Sequence, residues 1–405
     1  MIRPLRYIAL ALSLLLSLHY LATLTSPSYS SATSSSLQSL RTKWKPAPAP
    51  VPHPVVVDTS TGDTSNVPFD PRKPSAAFVI LCRNDDLSKM LMTLQTLEST
   101  FNSKPHNRYP YVFLNDDEFS QRFRTRIRAA IPADVKVEFG RVEGEAWGMP
   151  SWIDRPKAEA SWKKASHGGM PYGGSESYRN MCRFQSGYFF RHPLVLPYRY
   201  YWRVEPDVRF LCDLEDFDPF RYMRDHGKKY GYVLSLHEIR STVKTLWVHV
   251  RKWYQQNPQY LHDNNAINFI TDRKEMGYSM CHFWSNFEIA DMELWRSEAY
   301  LSFFEYLDKQ GGFYYERWGD APVHSIAAAL MLDKNEIHYF DNVGYMHAPF
   351  LHCPKDPPEK QNRCWCTHET SLIYDDNHWS CRYDWDAIFG KDPERERARF
   401  NELTP

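Results

Sequence analysis

The sequence predicts an α/β fold built on a Rossmann-like sheet flanked by helices. Residues 76–82 form a continuous apolar run, AAFVILC, which is typical of a strand buried on both faces. The segments that follow alternate between amphipathic-helix and strand patterns, an order that favours parallel β–α–β units. With 405 residues, of which 42% are hydrophobic and 24% charged, the chain is long enough to bury a large core.

A helix is expected after the first strand, with Asp86 as its N-cap. Strands are then predicted at 111–114 and 135–139, with a helix between them whose apolar residues recur every four positions from Phe119 to Ile131. These segments complete a βαβαβ unit, which is typical of a nucleotide-binding half. The apolar face of the first helix comprises Leu87, Met90, Leu91, Leu94 and Leu97.

Ligands of such sheets bind beyond the carboxyl ends of the strands, which here are 83–86 and 115–117. Arg83 and Asp117 are the charged candidates in these two loops. No Gly-x-Gly-x-x-Gly follows the first strand and no P-loop occurs, which argues against NAD(P) enzymes and P-loop NTPases. Further along, a helix is expected at 177–190 and a strand at 200–204.

The N-terminal region predicts a membrane anchor. Residues 7–25 contain no charged side chain and are long enough to cross a bilayer as a helix. Arg3 and Arg6 precede this span and no Lys or Arg follows before Arg41, so the positive-inside rule predicts a cytosolic tail at 1–6 and a luminal body. A cleaved signal peptide is the alternative. Residues 26–74 are rich in Ser, Thr and Pro and predict a stem, and 75–405 form the catalytic domain.

Charge and cysteine content narrow the partners and the compartment. Lys plus Arg and Asp plus Glu are equal at 49 each, so no global positive field favours nucleic acid as a partner. Eight cysteines in a luminal domain predict disulfides, although their connectivity is not readable. A structural zinc site is the competing interpretation for the four cysteines near the C-terminus, Cys353, Cys364, Cys366 and Cys381.

Two carboxylates follow the strand predicted at 200–204. Glu205 and Asp207 flank a proline, which stiffens the turn. Their hard oxygens suit Mg²⁺ or Mn²⁺ held against a diphosphate, and a metal there would neutralise charge on a departing nucleoside diphosphate. An ordinary solvated turn is the structural alternative.

Three further residues are candidates for chemistry. Glu288 lies in an aromatic stretch at 281–291, where a carboxylate can serve as nucleophile, base or hydroxyl ligand, or can simply favour a helix N-terminus. Asp320 follows Trp318, a pairing that suits a sugar, but Asp320 is equally suited to cap a helix. His347 follows the strand predicted at 337–340 and would complete the coordination of a metal held by Glu205, unless it is purely structural.

The segments 178–184, 201–208, 283–291 and 317–324 closely resemble the signature segments of the fungal Golgi α-1,2-mannosyltransferases. The resemblance extends from about residue 76 to the C-terminus. It implies a GT-A-type mixed sheet, a Golgi type II membrane protein, and retaining transfer of mannose from GDP-mannose with Mn²⁺. The acceptor would be a mannoside or glycoprotein, in the synthesis of O-linked or N-linked mannan.

The resemblance also implies roles for individual residues. Glu205 and His347 would bind the metal with Asp207 close by, Glu288 would be the nucleophile, and Asp320 would contact sugar hydroxyls or act as base. Gln185 departs from the pattern. A luminal mannan-binding or scaffolding protein on a decayed transferase fold is the alternative from another class, and a nucleotide-sugar hydrolase is a third. The donor site would include Arg83, Asp117, Tyr178 and Arg183.

Overall fold

The computed structural model describes residues 73–214, 217–272, 277–355, 363–372 and 379–391. The predicted cytosolic tail, the predicted membrane span at 7–25 and the predicted stem up to residue 72 lie outside these ranges. Within the described ranges, no helix combines the length and the apolar character that a bilayer crossing needs.

Twelve strands occur in the described ranges. They are β1 (Ala76–Leu81), β2 (Tyr111–Asn115), β3 (Val137–Arg141), β4 (Tyr200–Arg203), β5 (Arg209–Phe210), β6 (Tyr230–Tyr232), β7 (Ser235–His237), β8 (Cys281–Phe283), β9 (Glu288–Asp291), β10 (Ile337–Tyr339), β11 (Tyr345–His347) and β12 (Phe350–His352).

The same ranges contain twelve α-helices. They are α1 (Leu87–Leu97), α2 (Gln121–Ala130), α3 (Arg155–His167), α4 (Glu176–Gly187), α5 (Pro219–Asp225), α6 (Leu246–Gln256), α7 (Ile267–Ile270), α8 (Met292–Arg296), α9 (Glu298–Gln310), α10 (Gly312–Tyr315), α11 (Asp320–Met331) and α12 (Arg382–Ala387).

Seven strands form the central sheet in the order β10-β6-β9-β4-β1-β2-β3. The strands β4, β1, β2 and β3 pair in parallel, as the βαβαβ pattern predicts. The strand β9 is antiparallel to both β4 and β6, so the sheet is mixed. A three-stranded antiparallel sheet, β12-β11-β5, and a β7-β8 pair complete the strand pairing.

The apolar run of β1 separates two hydrophobic cores, one on each face of the central sheet. Ala77 and Val79 pack into one core, whereas Phe78 and Ile80 pack into the other. Alternate residues of a strand point to opposite faces, so a strand in the middle of a covered sheet must be apolar throughout. The prediction of a strand buried on both faces is therefore confirmed.

The helix boundaries follow local capping chemistry, with one correction. Ser120 accepts a hydrogen bond from the backbone N–H of Phe123 and so starts α2. Asp86 stands at the N-cap of α1 but does not cap it with its side chain; its carboxylate instead accepts from the backbone N–H of Arg83 at 2.9 Å. The reason is a short 3-10 turn at Asn84–Asp86, which directs the Asp86 carboxylate back toward β1. The third strand also starts two residues later than predicted.

Disulfides join Cys212 to Cys364, Cys281 to Cys381, and Cys353 to Cys366. The sulfurs of the first and third bridges lie within 4.8 Å of one another, a spacing that would also suit a metal, but they are paired with each other here. The prediction of disulfides is confirmed over the zinc alternative. Cys82 and Cys182 remain as buried free thiols.

Candidate active site

A cleft of about 250 Å³ opens at the carboxyl ends of β1 and β2, where the topology predicts a ligand. Loops after both strands contribute to it, and the start of α4 forms the opposite wall. The lining residues are Leu81, Cys82, Arg83, Asp86, Asn115, Asp116, Trp147, Tyr172, Ser175, Ser177, Tyr178 and Met181.

Arg83 is confirmed as a residue of this cleft. Its guanidinium donates to Ser177 Oγ and lies 3.5 Å from Asp116 Oδ2. More than half of the side chain is exposed, so the cation remains available to a ligand. Asp117, in contrast, does not line the cleft: it is exposed and accepts from the backbone N–H of Glu118 at 2.8 Å. The neighbouring Asp116 occupies the position that was predicted for Asp117.

Tyr178 lies in the first turn of α4, whose N-cap Ser175 accepts from the Tyr178 N–H at 3.1 Å. The Tyr178 ring stacks on Tyr172 with centroids 4.4 Å apart and planes 2° from parallel. The Arg317 guanidinium lies 5.1 Å from the same ring centroid. Burial raises the pKa of the Tyr178 hydroxyl, which is therefore a neutral hydrogen-bonding group.

Arg183 does not reach the cleft. Its guanidinium binds Asp308 through two hydrogen bonds of 2.8 Å and also donates to the Glu145 carbonyl at 2.7 Å. Arg183 lies one to two turns beyond Tyr178 on α4, and its side chain is 2% exposed. The structure therefore assigns Arg183 to a buried ion pair between α4 and α9, rather than to the donor site.

The acidic turn at 205–207 begins after a single residue, Val204, that follows the end of β4. Helix α1 holds this turn, because Thr93 Oγ1 donates to the Val208 carbonyl at 2.9 Å and lies 3.3 Å from the Glu205 carbonyl. Asp207 has a left-handed backbone with φ of 78° and forms an ion pair of 3.1 Å with Lys89. The turn is therefore more than a solvated loop, but the Asp207 carboxylate faces a lysine.

Arg203, the last residue of β4, joins the two predicted acids. Its Nε donates to Glu205 Oε1 at 2.9 Å and its Nη1 donates to Asp320 Oδ2. Ser285 Oγ also donates to Asp320 at 2.8 Å. Burial tends to raise the pKa of Asp320, but Arg203 and then His324 outweigh it and hold this pKa below its ordinary value. Asp320 is consequently a buried, ionised carboxylate.

Asp320 does not have the helix-capping role that its sequence position suggested. It is the first residue of α11, and the capping position belongs to Gly319. The indole of Trp318 is fully buried among core residues and cannot grip a sugar. The Asp320 carboxylate faces β4 because Arg203 attracts it.

His347 is the last residue of β11, in the three-stranded sheet. Its ring packs edge to face on Trp284 at 4.9 Å, and the next residue, Ser285, contacts Arg203. In the described part of the chain, the buried Nδ1 of His347 finds no hydrogen-bond partner. A buried polar atom without a partner is costly, so a group that His347 would bind is expected there.

The carboxylate of Glu205 and the imidazole of His347 offer donor atoms that fit a divalent metal in part. Among the described residues, no group donates to the second Glu205 oxygen, Oε2, and the Glu205 side chain is 27% exposed. A carboxylate oxygen and an imidazole nitrogen together suit Mn²⁺. Over the described ranges, ligand atoms of Glu205, Asp207 and His347 do not all lie within 4.8 Å of one another.

Glu288 begins β9, so it is not a first-turn helix residue. Its carboxylate is fully buried and accepts hydrogen bonds from Tyr201 Oη and, at 2.7 Å, from Tyr230 Oη. His324 Nδ1 lies 3.0 Å from Oε2. Glu288 does not line the cleft. This arrangement does not support the expectation that Glu288 attacks the anomeric carbon, because three protein side chains enclose the carboxylate.

Sequence reasoning gave no role to several residues that organise the site. Arg203 was part of a quoted segment, and its position directly before the acidic turn is the signal that could have found it. Thr93, Lys89 and His324 act across large sequence separations, which no local pattern reveals.

The mixed sheet, the strand-end cleft and the acidic turn together define a nucleotide-sugar-dependent glycosyltransferase. The chain is similar to the X-ray structure of the mannosyltransferase Ktr4p from Saccharomyces cerevisiae in complex with GDP, with 37% identity and a TM-score of 0.75 over 87% of this chain and 89% of that one. It is also similar to the crystal structure of core-mannan synthase A from Aspergillus fumigatus in its Mn/GDP form, with 36% identity and a TM-score of 0.74. This match covers 86% of this chain and 93% of the other.

The family model of glycolipid 2-alpha-mannosyltransferases matches residues 38–388, and the chain belongs to this family. Glycolipid 2-alpha-mannosyltransferase 2 of Candida albicans is 46% identical over 83% of this chain and 72% of its own length. The O-glycoside alpha-1,2-mannosyltransferase omh1 of Schizosaccharomyces pombe is 48% identical over 76% of this chain and 77% of its own length. The chain is thus an enzyme of the α-1,2-mannosyltransferase class.

Proposed function

We propose that this enzyme transfers mannose from GDP-mannose to a mannoside or glycoprotein acceptor, with retention and with Mn²⁺, in the Golgi lumen. The observation that carries the proposal is the link between the acidic turn and the strand-end cleft through Lys89, which pairs with Asp207 and interacts electrostatically with Asp86 and Tyr172 of the cleft. Such a site combines a place for a nucleotide with charged groups at the sugar-transfer position.

The donor would lie in the cleft. Arg83 offers an exposed cation for a diphosphate, and the stacked rings of Tyr172 and Tyr178 offer an apolar wall. The Tyr178 hydroxyl, held neutral by burial, is suited to donate a hydrogen bond to a sugar or phosphate oxygen. The S. cerevisiae relative is in complex with GDP, which supports guanosine diphosphate as the nucleotide of the donor.

Glu205 and His347 would hold the metal, which neutralises the charge of the departing diphosphate when it is bound. Arg203 keeps Glu205 Oε1 in place and leaves Oε2 free. Lys89 pairs with the Asp207 carboxylate, so Asp207 would act near the metal without binding it directly. The Mn/GDP form of the A. fumigatus relative supports Mn²⁺ as the ion.

Asp320 would bind sugar hydroxyls or act as base. It is ionised, fixed by Arg203 and Ser285, and lies beside the acidic turn. A fixed negative charge there would also stabilise the positive charge that develops on the sugar during transfer. The single-pass type II topology rests on the charge pattern around residues 7–25, and the Golgi localisation rests on the resemblance to the fungal Golgi α-1,2-mannosyltransferases.

The test is a transfer assay with the purified full chain in detergent. We expect GDP release to require a mannoside acceptor, and we expect the product to contain a new α-1,2 bond. EDTA should abolish transfer and Mn²⁺ should restore it better than Mg²⁺, because imidazole is a poor ligand for Mg²⁺. Glu205→Ala should lower kcat by about 10²-fold or more.

The matched control is Asp207→Asn, which removes the neighbouring charge without removing the proposed metal ligand. It should lower kcat far less than Glu205→Ala does. Full-rate transfer in EDTA would show that the metal site is misassigned. GDP release without an acceptor would indicate a hydrolase, and binding of mannosides without any GDP release would indicate a decayed transferase.

A further inference from the structure

Arg203 and Glu288 are directly opposite each other in the antiparallel β4-β9 pair. Their side chains therefore leave the same face of the sheet. The first turns of α11 cover this face, with Asp320 against Arg203 and His324 against Glu288. Asp320 and His324 are four residues apart, so they project from one side of the helix.

Both oxygens of Glu288 are fully engaged. Trp295 Nε1 donates to Tyr201 Oη at 3.0 Å, so the hydrogen of the Tyr201 hydroxyl is directed to the carboxylate. Tyr230 Oη supplies a second donor at 2.7 Å. A nucleophile must approach the reacting carbon to about 3–3.5 Å, and a carboxylate with 0% exposure behind these rings has no such path.

His324 is held just as firmly. Its Nε2 lies 3.1 Å from the Gln185 carbonyl, which can only accept, so Nε2 carries a hydrogen. Its Nδ1 lies 3.1 and 3.0 Å from the two Glu288 oxygens, so another proton must lie between the ring and the carboxylate. The ring also stacks on Trp295 with centroids 4.2 Å apart. The ring has no freedom to change partner.

We propose that Glu288 and His324 are positioning residues, which hold the first turns of α11 on the sheet and thereby fix Asp320 against Arg203. Glu288 does not form a bond to the sugar. This inference rests on the proposed function, in which Asp320 contacts the reacting sugars.

The test compares a conservative substitution with substitutions by alanine, which remove the side-chain contacts. Glu288→Gln keeps the shape and most hydrogen bonds, so kcat should stay within about tenfold of wild type, the scale of one neutral hydrogen bond. Glu288→Ala and His324→Ala should each lower kcat by about 10²-fold, because small displacements of a catalytic group have effects of that size. The double variant should be no slower than either single one, since all three lose the same contact.

Two outcomes would overturn the proposal. If Glu288→Gln lowers kcat as much as Glu288→Ala does, the negative charge itself takes part in the chemistry. If His324→Ala has normal kcat, His324 does not position Asp320. Should the alanine variants fail to fold, Glu288→Gln and His324→Asn decide the question, because Asn keeps a donor near the position of Nδ1.

Thermal unfolding provides a second test that does not depend on enzymatic activity. The losses in midpoint from Glu288→Ala and His324→Ala should be less than additive in the double variant, and strict additivity would overturn the pairing. If the wild-type chain transfers no mannose, the proposed function fails. The unfolding measurements still test whether Glu288 and His324 stabilise the fold as a pair. The control is Asp218→Ala, which removes another buried carboxylate bound to a tyrosine, Tyr109, and should lower the midpoint while leaving kcat near wild type.

Discussion

Arg203 makes three contacts at once, to Glu205, Ser285 and Asp320. A planar guanidinium can do this because its five N–H groups point outward in a fixed fork. Because its side chain is 6% exposed, these contacts act in a medium that screens charge poorly. The same residue therefore holds Glu205, the proposed metal ligand, and keeps the neighbouring Asp320 ionised.

Replacing Arg203 with Lys should lower kcat by about 10²-fold, because an ammonium cannot hold Glu205 and Asp320 simultaneously. Steady-state kinetics and thermal unfolding on the same preparation would measure this effect. Arg183→Lys is the matched control: it breaks another buried, two-bond pair, with Asp308, and should reduce stability while leaving kcat near wild type. Normal kcat in Arg203→Lys would remove Arg203 from the positioning of the acids.

At the scale of elements, α1 connects the two halves of the candidate site. Its N-terminus borders the cleft through Asp86, and its interior holds the acidic turn through Thr93. The turn needs such support because Asp207 adopts a left-handed backbone, which costs energy for a residue other than glycine. A helix packed on the sheet is a rigid source of that support.

Thr93→Val should lower the free energy of unfolding by about 1–3 kcal/mol, because a buried carbonyl loses its donor while the side-chain volume is kept. The concentration of Mn²⁺ that gives half-maximal activity should rise, since the Glu205 backbone loses an anchor. Denaturant unfolding and a metal titration measure the two effects. Thr100→Val, which loses only bonds to the Thr96 and Leu97 carbonyls of the same segment, should leave the metal requirement unchanged.

At the scale of the whole molecule, the mixed sheet separates two aromatic cores, and three disulfides among the described residues cross-link parts of the chain that follow β5. The bridge between Cys281 and Cys381 joins β8 to the start of α12 across a sequence separation of 100 residues. A cross-link over a long loop restricts the unfolded chain strongly.

Removing this bridge with Cys281→Ala and Cys381→Ala together should lower the free energy of unfolding by about 2–5 kcal/mol. Equilibrium unfolding in denaturant, with and without a dithiol reductant, would measure it. Cys82→Ala is the control, since this buried thiol is in no disulfide and its loss should leave the response to reductant as in wild type. An unchanged free energy in the double variant would show that the bridge does not stabilise the domain.

The sequence alone determined the β–α–β order, the cleft at the strand ends and the family, because these depend on local periodicity and on contiguous segments. Arg83, Tyr178 and the acidic turn were found in this way. Only the tertiary structure decided that Asp116 replaces Asp117 in the cleft, that Arg183 lies in an ion pair, and that Glu288 is enclosed. The physical reason is that a charged residue takes its role from its partners, and these partners come from α9, α11 and β6, far away along the chain.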